Sequence, residues 1–115
     1  MANESEVTHE PRTCDAALSR AFEFLGKRWN GVLLGTLISG PAGFSELRRA
    51  VIGISDSVLS ERLAELTKAG LITRAVDPGP PVTVAYSLTE SGKGLLPALA
   101  ELTTWADVNL PKADC

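Results

Sequence analysis

Apolar positions recur at helical spacing between residues 55 and 70 of the 115-residue chain, and the opposite face is small and polar. Ser55 is a good N-cap, because its hydroxyl can accept a hydrogen bond from a backbone N–H that has no partner within the helix. Gly70 suits the left-handed conformation that ends many helices. The pattern therefore predicts an amphipathic helix with both ends marked. Its apolar face consists of Val58, Leu59, Leu63 and Leu66.

A shorter helical segment precedes this helix, and a brief turn containing Gly53 separates the two. Residues 44–50 form the predicted shorter helix, with Phe44, Leu47 and Val51 on its inner side. Two helices joined by a short turn, the second with a small and polar outer face, indicate a helix-turn-helix. The alternative at this point is an ordinary helical hairpin in a small all-α core.

Further elements flank this pair on both sides. Helices are predicted over residues 15–25 and 27–39, and a very short extended piece follows the second of them. After Gly70 the periodicity changes to that of two strands, over residues 71–76 and 82–88, joined by a proline-rich turn. A hairpin directly after a helix-turn-helix is typical of a winged helix, in which the hairpin is the wing.

A last helix is predicted after Thr89, which serves as its N-cap. Pro97 lies inside this helix and predicts a kink, because proline removes one backbone hydrogen bond. The apolar stripe of the helix is longer than a small domain can cover, so a second copy of the chain is expected to cover it. The predicted fold is mainly α with a small β-hairpin wing. The stripe consists of Leu95, Leu96, Leu99, Leu102 and Trp105.

Length and composition predict one domain over residues 14–110, between a disordered tail at residues 1–13 and a short tail at residues 111–115. The chain has no apolar run of about 18 residues that would span a membrane. Its N-terminus lacks the basic and apolar parts of a signal peptide. A cytoplasmic location is therefore expected.

Catalytic and metal chemistry find little support in the sequence. The two cysteines, Cys14 and Cys115, lie near opposite ends of the chain, and the single histidine is His9. These positions do not match the clustered spacing of a metal site. The sequence also has no phosphate-binding loop and no nucleophile–histidine pair. We therefore expect no enzyme activity, no metal and no cofactor.

The net charge of −3 argues weakly against a nucleic-acid partner, but the distribution of charge argues for one. Residues 20–74 carry eight basic and five acidic side chains, whereas the flanking segments are both acidic. The positive charge is thus concentrated around the predicted helix-turn-helix, as expected of a protein that contacts DNA there.

The chain resembles the HxlR family of winged helix-turn-helix transcriptional regulators, which is related to MarR. The resemblance extends over about residues 14–105. It implies a homodimeric bacterial transcriptional regulator whose terminal helices form the dimer and whose fourth helix enters the DNA major groove. The matching segments are Cys14, LGKRW at 25–29, GFSELRRAV at 43–51, GISDSVLSERLAELTKAGLITR at 53–74, the proline-rich wing, YSLTESGKGLLP at 86–97, and Trp105.

The sequence departs from the family pattern at several positions that would face DNA. The family often has a basic residue at the position of Ser57, basic or amide side chains near Glu61 and Ala64, and Arg or Lys at the position of Thr83. This chain has none of these. The predicted reading helix is therefore less cationic than is usual in the family.

Phosphate contacts are expected from basic side chains, and base contacts from the first turns of the fourth helix. Serine discriminates poorly between bases, and Glu61 can accept from a cytosine amino group, so specificity is expected to depend on DNA shape. The alternative for each charge is a solvated surface position, and Arg62 could instead pair with Glu65 or Glu46. The predicted DNA-binding residues are Lys27, Arg28, Ser45, Arg48, Arg49, Ser55, Ser57, Ser60, Glu61, Arg62, Lys68, Arg74 and Thr83.

Cys14 is the candidate redox sensor. It lies immediately before the first helix, where the helix dipole favours a thiolate, and the resemblance implies family members that sense oxidants or electrophiles there. Asp15 beside it opposes this effect, and the alternative is an inert cysteine.

The candidate dimer interface is apolar. Trp29, Trp105 and Phe22 are interpreted as core or dimer packing, with a ligand pocket as the alternative. The predicted interface residues are Leu18, Phe22, Leu96, Leu99, Leu102 and Trp105.

The predicted function is sequence-specific binding of double-stranded DNA at a pseudo-palindromic operator, by a homodimeric regulator that responds to a thiol oxidant or a small molecule. The alternative is a winged-helix module that binds another protein and makes no DNA contact. The acidic total charge favours that alternative slightly.

Overall fold

The structure is a computed structural model, and it describes residues 12–112. Six α-helices and one two-stranded sheet form over this range. The tails predicted at residues 1–13 and 111–115 lie mostly outside the described residues, as do His9 and Cys115. The elements are α1 (Ala16–Leu25), α2 (Arg28–Thr36, continued by a 3-10 turn over Leu37–Ser39), α3 (Phe44–Ala50), α4 (Asp56–Lys68), β1 (Ile72–Asp77), β2 (Thr83–Leu88), α5 (Glu90–Gly94) and α6 (Leu96–Asn109).

The two ends of α4 are fixed by the residues predicted to fix them. The Ser55 hydroxyl accepts a hydrogen bond from the backbone N–H of Val58 at 3.2 Å. Gly70 adopts a φ of +79°, and the N–H groups of Gly70 and Leu71 donate to the carbonyl oxygens of Thr67 and Leu66. These two bonds form the Schellman motif, which satisfies carbonyl groups at the end of the helix.

The hairpin is antiparallel and lies directly after α4. Ile72 pairs with Leu88 at its base, and Asp77 pairs with Thr83 at its tip. Ala42 forms an isolated β-bridge to this hairpin, in which its backbone exchanges two hydrogen bonds with Tyr86, at 3.0 and 2.8 Å. The predicted short extended piece and the predicted wing are both confirmed.

The core lies beneath the helix-turn-helix, where α2, α3, α4 and the base of the hairpin meet. Its side chains are almost entirely aliphatic, so its stability comes from burial of apolar surface rather than from directional contacts. The buried apolar residues are Leu33, Leu34, Leu37, Leu47, Val51, Ile54, Leu59, Leu63, Leu66 and Ile72.

The last helical region differs from the prediction of one kinked helix. It consists of two helices, α5 and α6, which meet at Leu95. Pro97 lies in the first turn of α6, where its missing N–H needs no partner within the helix. In an unbroken helix the ring of Pro97 would meet the carbonyl group of Lys93. The helix therefore ends at Gly94 and begins again at Leu96.

Candidate nucleic-acid interface

Helix α4 separates a buried face from a fully exposed one. Leu59, Leu63 and Leu66 are buried in the core, which fixes the rotation of the helix about its own axis. Most side chains of the exposed face are small enough to let another surface approach closely. The face also carries one basic and one acidic side chain. It consists of Ser57, Ser60, Glu61, Ala64 and Lys68.

A groove of about 510 Å³ separates this exposed face from the wing. Lys68 lies on the helix side of the groove, and Arg74 lies on β1 opposite Tyr86 of β2. Two cations thus border one groove, a suitable position for a backbone phosphate of a duplex whose base edges face α4. The groove is lined by Ser60, Leu63, Ala64, Thr67, Lys68, Arg74 and Tyr86.

Helix α3 presents Ser45, Arg48 and Arg49 to the surface. The Arg48 Nε atom lies 3.3 Å from a carboxylate oxygen of Asp56, the first residue of α4. Arg49 forms no ion pair within residues 12–112. Arg49 is therefore free to contact a phosphate, whereas Arg48 is held by Asp56. Asp56 also places a negative charge at the N-terminal end of α4, the end that would approach DNA.

Asp56→Asn should raise the affinity of the protein for duplex DNA of any sequence. The change removes a carboxylate that repels phosphates and releases Arg48, so we expect a gain of roughly fivefold at low salt, about 1 kcal/mol. Titration of a labelled duplex at two salt concentrations measures the gain, which should shrink at high salt. Asp107→Asn removes the same charge from α6 and should change the affinity little. Equal or weaker binding by Asp56→Asn would contradict the prediction.

Besides Arg48, three of the predicted phosphate contacts are already engaged within the protein. Arg28 stacks over Trp29, with its guanidinium carbon 4.2 Å from the ring centroid. Lys27 pairs with Glu65 at 2.9 Å. Arg62 is buried, so the structure places it beneath the surface of α4 rather than on the face that would meet DNA.

Arg62 lies in an ion-pair cluster, in which it pairs with Glu65, one of its two predicted alternative partners, and with Glu61 rather than with Glu46. One of its amino groups lies 2.6 Å from Glu61 and the other 2.9 Å from Glu65. Two carboxylates thus compensate the charge of the buried guanidinium, as a buried charge requires. Glu61 remains exposed, but its carboxylate is shared with Arg62.

Glu65 receives hydrogen bonds from two residues at the start of α2. Lys27 Nζ donates to both of its oxygens, at 2.9 and 3.1 Å, and Asn30 Nδ2 donates at 3.1 Å. The hydrogen bond from Lys27 lowers the pKa of Glu65 below its ordinary value of 4.5, and Asn30 and Arg62 act in the same direction against the opposing effect of burial. Glu65 therefore remains a carboxylate to a lower pH than an ordinary glutamate does.

Glu65→Gln should destabilise the protein at neutral pH, and the difference from wild type should shrink in acid. Because the folded-state pKa is lowered, the stabilisation by Glu65 is complete above pH 4.5 and is lost as the pH falls through the folded value. Urea unfolding between pH 3 and pH 7 measures the free energy of unfolding of both proteins. Glu90→Gln, an exposed control, should stay within about 0.5 kcal/mol of wild type throughout. A constant difference down to pH 3 would contradict the assignment.

Asn30 is a member of this cluster that the sequence reasoning missed. Its side chain is fully buried, and it donates to the Phe24 carbonyl oxygen at 3.1 Å as well as to Glu65. The signal was present in the sequence: Asn30 lies on the same helical stripe as Leu33, Leu34 and Leu37, and a polar residue at a core position needs buried partners.

Cys14 is exposed, but it is not the N-cap of α1. Asp15 occupies that position, and its carboxylate accepts a hydrogen bond from the N–H of Leu18 at 3.0 Å. The side chain that accepts a hydrogen bond from the first turn of α1 is thus that of Asp15 and not that of Cys14. Asp15 is the N-cap because a carboxylate accepts hydrogen bonds more strongly than a thiol does and is favoured by the helix dipole.

The predicted dimer residues divide into two groups. Leu18, Phe22, Leu102 and Trp105 are each between 45% and 56% exposed, and neither α1 nor α6 contains a buried residue. Leu96 and Leu99, in contrast, are only partly exposed, and Leu99 packs against the core of its own chain. Leu18 and Phe22 of α1 and Leu102 and Trp105 of α6 are therefore four large apolar side chains with about half of their surface exposed, and we call this set the α1/α6 patch.

Metal-ligand clusters and membrane-spanning helices are both absent from the part of the chain that the structure describes. Within residues 12–112, no three His, Cys, Asp or Glu side chains group as metal ligands would. None of the helices in this range combines the length and apolar character needed to cross a bilayer.

The fold and the exposed face of α4 define a winged helix-turn-helix protein. The chain belongs to the HxlR family, since the sequence model described as HxlR-like helix-turn-helix matches residues 24–114. It is 42% identical over 90 residues to the HTH-type transcriptional regulator YodB of Bacillus subtilis, covering 78% of this chain and 80% of that protein. The chain is therefore a DNA-binding transcriptional regulator, and the alternative of a module without DNA contact is not supported.

Solved structures agree with this assignment. The reduced form of YodB from B. subtilis superposes with a TM-score of 0.75 at 39% identity, covering 90% of this chain and all of that one. The redox regulator HypR in its oxidized form gives a TM-score of 0.78 at 31% identity, covering 84% of this chain and all of HypR.

Proposed function

We propose that the protein is a homodimer that binds a pseudo-palindromic duplex, with its two α4 helices in successive major grooves about 34 Å apart. The observation that carries the proposal is the α1/α6 patch. Its four large side chains are about half exposed. Burial of each would remove apolar surface from water, which is favourable. A two-fold axis would place the patch of one protomer against the same patch of its partner.

The DNA contacts that this arrangement favours are few and lie close to α4. Arg49, Lys68 and Arg74 are exposed cations suited to phosphates, and Ser57 and Ser60 lie on the face of α4 that would meet base edges. The tip of the wing adds an acid, Asp77. Hydroxyl groups discriminate weakly between bases, so we expect much of the specificity to come from the shape of the duplex.

Selection of duplexes from a random pool by the purified protein tests this proposal. The recovered sequences should contain two inverted half-sites about ten base pairs apart from centre to centre. Analytical ultracentrifugation should give a dimer in free solution and two chains on each selected duplex. A monomer at tens of micromolar, or a selected sequence with a single unpaired half-site, would overturn the proposal.

We also propose that the regulator acts in the cytoplasm and that an oxidant or electrophile acts on it through Cys14. Cys14 is exposed, one residue before the cap of α1, and α1 carries part of the α1/α6 patch. A modified Cys14 side chain would therefore lie beside the proposed dimer interface. Solved relatives that include the reduced form of the transcriptional regulator YodB and the redox regulator HypR in its oxidized form support the proposal.

Diamide treatment should weaken binding to the selected duplex when Cys14 is present and should leave Cys14→Ser unaffected. The physical reason is that two rigid reading helices tolerate little change in spacing. Duplex titrations before and after treatment measure the effect, and Cys115→Ser serves as the matched thiol control. Unchanged affinity of the wild-type protein after complete modification of Cys14 would remove this residue from the mechanism.

A further inference from the structure

A single buried amide joins the end of α1 to the middle of α4. Asn30 lies in the first turn of α2, and its Nδ2 atom lies 3.1 Å from the Phe24 carbonyl oxygen and 3.1 Å from a Glu65 oxygen. The Asn30 side chain is fully buried. Loss of a partner would therefore leave a donor of this buried amide unsatisfied.

The same corner of the chain also contacts the turn of the helix-turn-helix. Trp29 lies so close to Gly53 that a Cβ atom added at Gly53 would be 3.8 Å from the Trp29 ring. Gly53 has a φ of +94° and forms the turn between α3 and α4. The corner between α1 and α2 thus contacts α4 at Glu65, in its second half, and also contacts the turn that leads into it.

These polar contacts restrain α4 in addition to its apolar packing. Burial of Leu59, Leu63 and Leu66 sets which face of the helix lies against the core, but contacts between aliphatic side chains have no preferred direction. Hydrogen bonds to the Glu65 carboxylate weaken steeply with distance and angle. Lys27, Asn30 and Arg62 approach this carboxylate together and therefore specify one orientation.

We propose that Asn30 and Glu65 are positioning residues that hold α4 at a fixed orientation to α1 and so set the spacing of the two α4 helices in the dimer. The inference rests on the proposed function, since α1 carries part of the α1/α6 patch. A direct connection from α1 to the reading helix runs from the Phe24 carbonyl through Asn30 to Glu65, and Lys27 adds a second contact to the same carboxylate.

The consequence is a strict requirement for half-site spacing. One inserted base pair moves a half-site by about 3.4 Å along the duplex and rotates it by about 34°. A dimer whose α4 helices are held rigidly cannot follow this change at both half-sites. A dimer with a loosened α4 can follow it.

Affinities for a series of duplexes test the inference. The probes are the duplex selected by the wild-type protein, versions with one base pair inserted or removed between the half-sites, and a single half-site. We expect the wild-type protein to lose at least tenfold in affinity on insertion. Asn30→Leu and Glu65→Gln should lose less than threefold, with single half-site affinity nearly unchanged. Glu90→Gln is the matched carboxylate control and should behave as wild type.

Lys27→Met keeps the test decisive if a change at Asn30 prevents folding. The Lys27 side chain is half exposed, so its replacement weakens the cluster without disturbing the core. It should also relax the spacing requirement.

The outcomes separate this inference from the proposal beneath it. Folded dimeric variants that keep the tenfold discrimination overturn the positioning role. A uniform loss of affinity for all duplexes, with the spacing ratio unchanged, shows a merely structural role and also overturns it. A wild-type protein that is monomeric, or indifferent to spacing, overturns the proposed dimeric reading and the inference with it.

Discussion

Replacement of Leu102 and Trp105 by aspartate should convert the protein to a monomer and lower its affinity for the selected two-site duplex at least 100-fold. Both side chains lie in the α1/α6 patch and are about half exposed in the single chain. Burial of one large apolar side chain contributes about 1.5–3 kcal/mol, and a two-fold interface counts each substitution twice. Four buried carboxylates would add a further penalty.

Analytical ultracentrifugation and duplex titration measure the two effects separately. Ile38→Asp is the matched control, because Ile38 is an exposed apolar residue outside the patch. It should leave the protein dimeric and its DNA affinity nearly unchanged. A dimer that survives the double substitution would place the interface elsewhere on the molecule.

The double variant Lys68→Ala, Arg74→Ala should weaken binding to all duplexes and reduce its dependence on salt. These residues border the groove between α4 and the wing, so their cations are placed to contact the same strand of backbone. Each lost phosphate contact lowers the slope of log affinity against log salt by about 0.9. Two substitutions in each of two protomers remove four contacts, so the slope of the dimer should fall by nearly four. The ratio of affinities for selected and random duplexes should change little.

Titrations between 50 and 200 mM salt give these slopes. The control Lys93→Ala, Lys112→Ala removes the same charge from positions outside this groove. It should reduce the slope by less than one. An unchanged slope in the Lys68, Arg74 variant would show that the wing side of α4 does not meet the backbone.

Much of the fold was predictable because its signals are local. The N-cap at Ser55, the left-handed cap at Gly70 and the prolines between the strands act through their own backbone or that of near neighbours. Such residues specify where an element begins and ends wherever it packs. The order of helices and the wing followed from them, and the structure confirms both.

The remaining features depend on contacts between distant residues, which spacing along the chain does not reveal. Lys27 and Glu65 are 38 residues apart, and nothing local to either shows that they pair. The position of Arg62 depends on that same cluster. The spacing of apolar residues along α4 is therefore compatible with both a surface and a paired position for Arg62. The predicted kink at Pro97 differs from the structure for another reason. Whether a proline kinks a helix or begins one depends on where the preceding helix ends.

The few free cations near α4 also affect how the regulator finds its site on a chromosome. Of the basic residues predicted to meet phosphates, Lys27, Arg48 and Arg62 are already paired with carboxylates, and the chain as a whole carries a net charge of −3. Affinity for random DNA grows with the number of phosphates neutralised, so this protein should spend little time on non-operator sequence. A given number of copies then leaves a larger free pool, and occupancy of the operator responds more directly to synthesis and degradation of the protein.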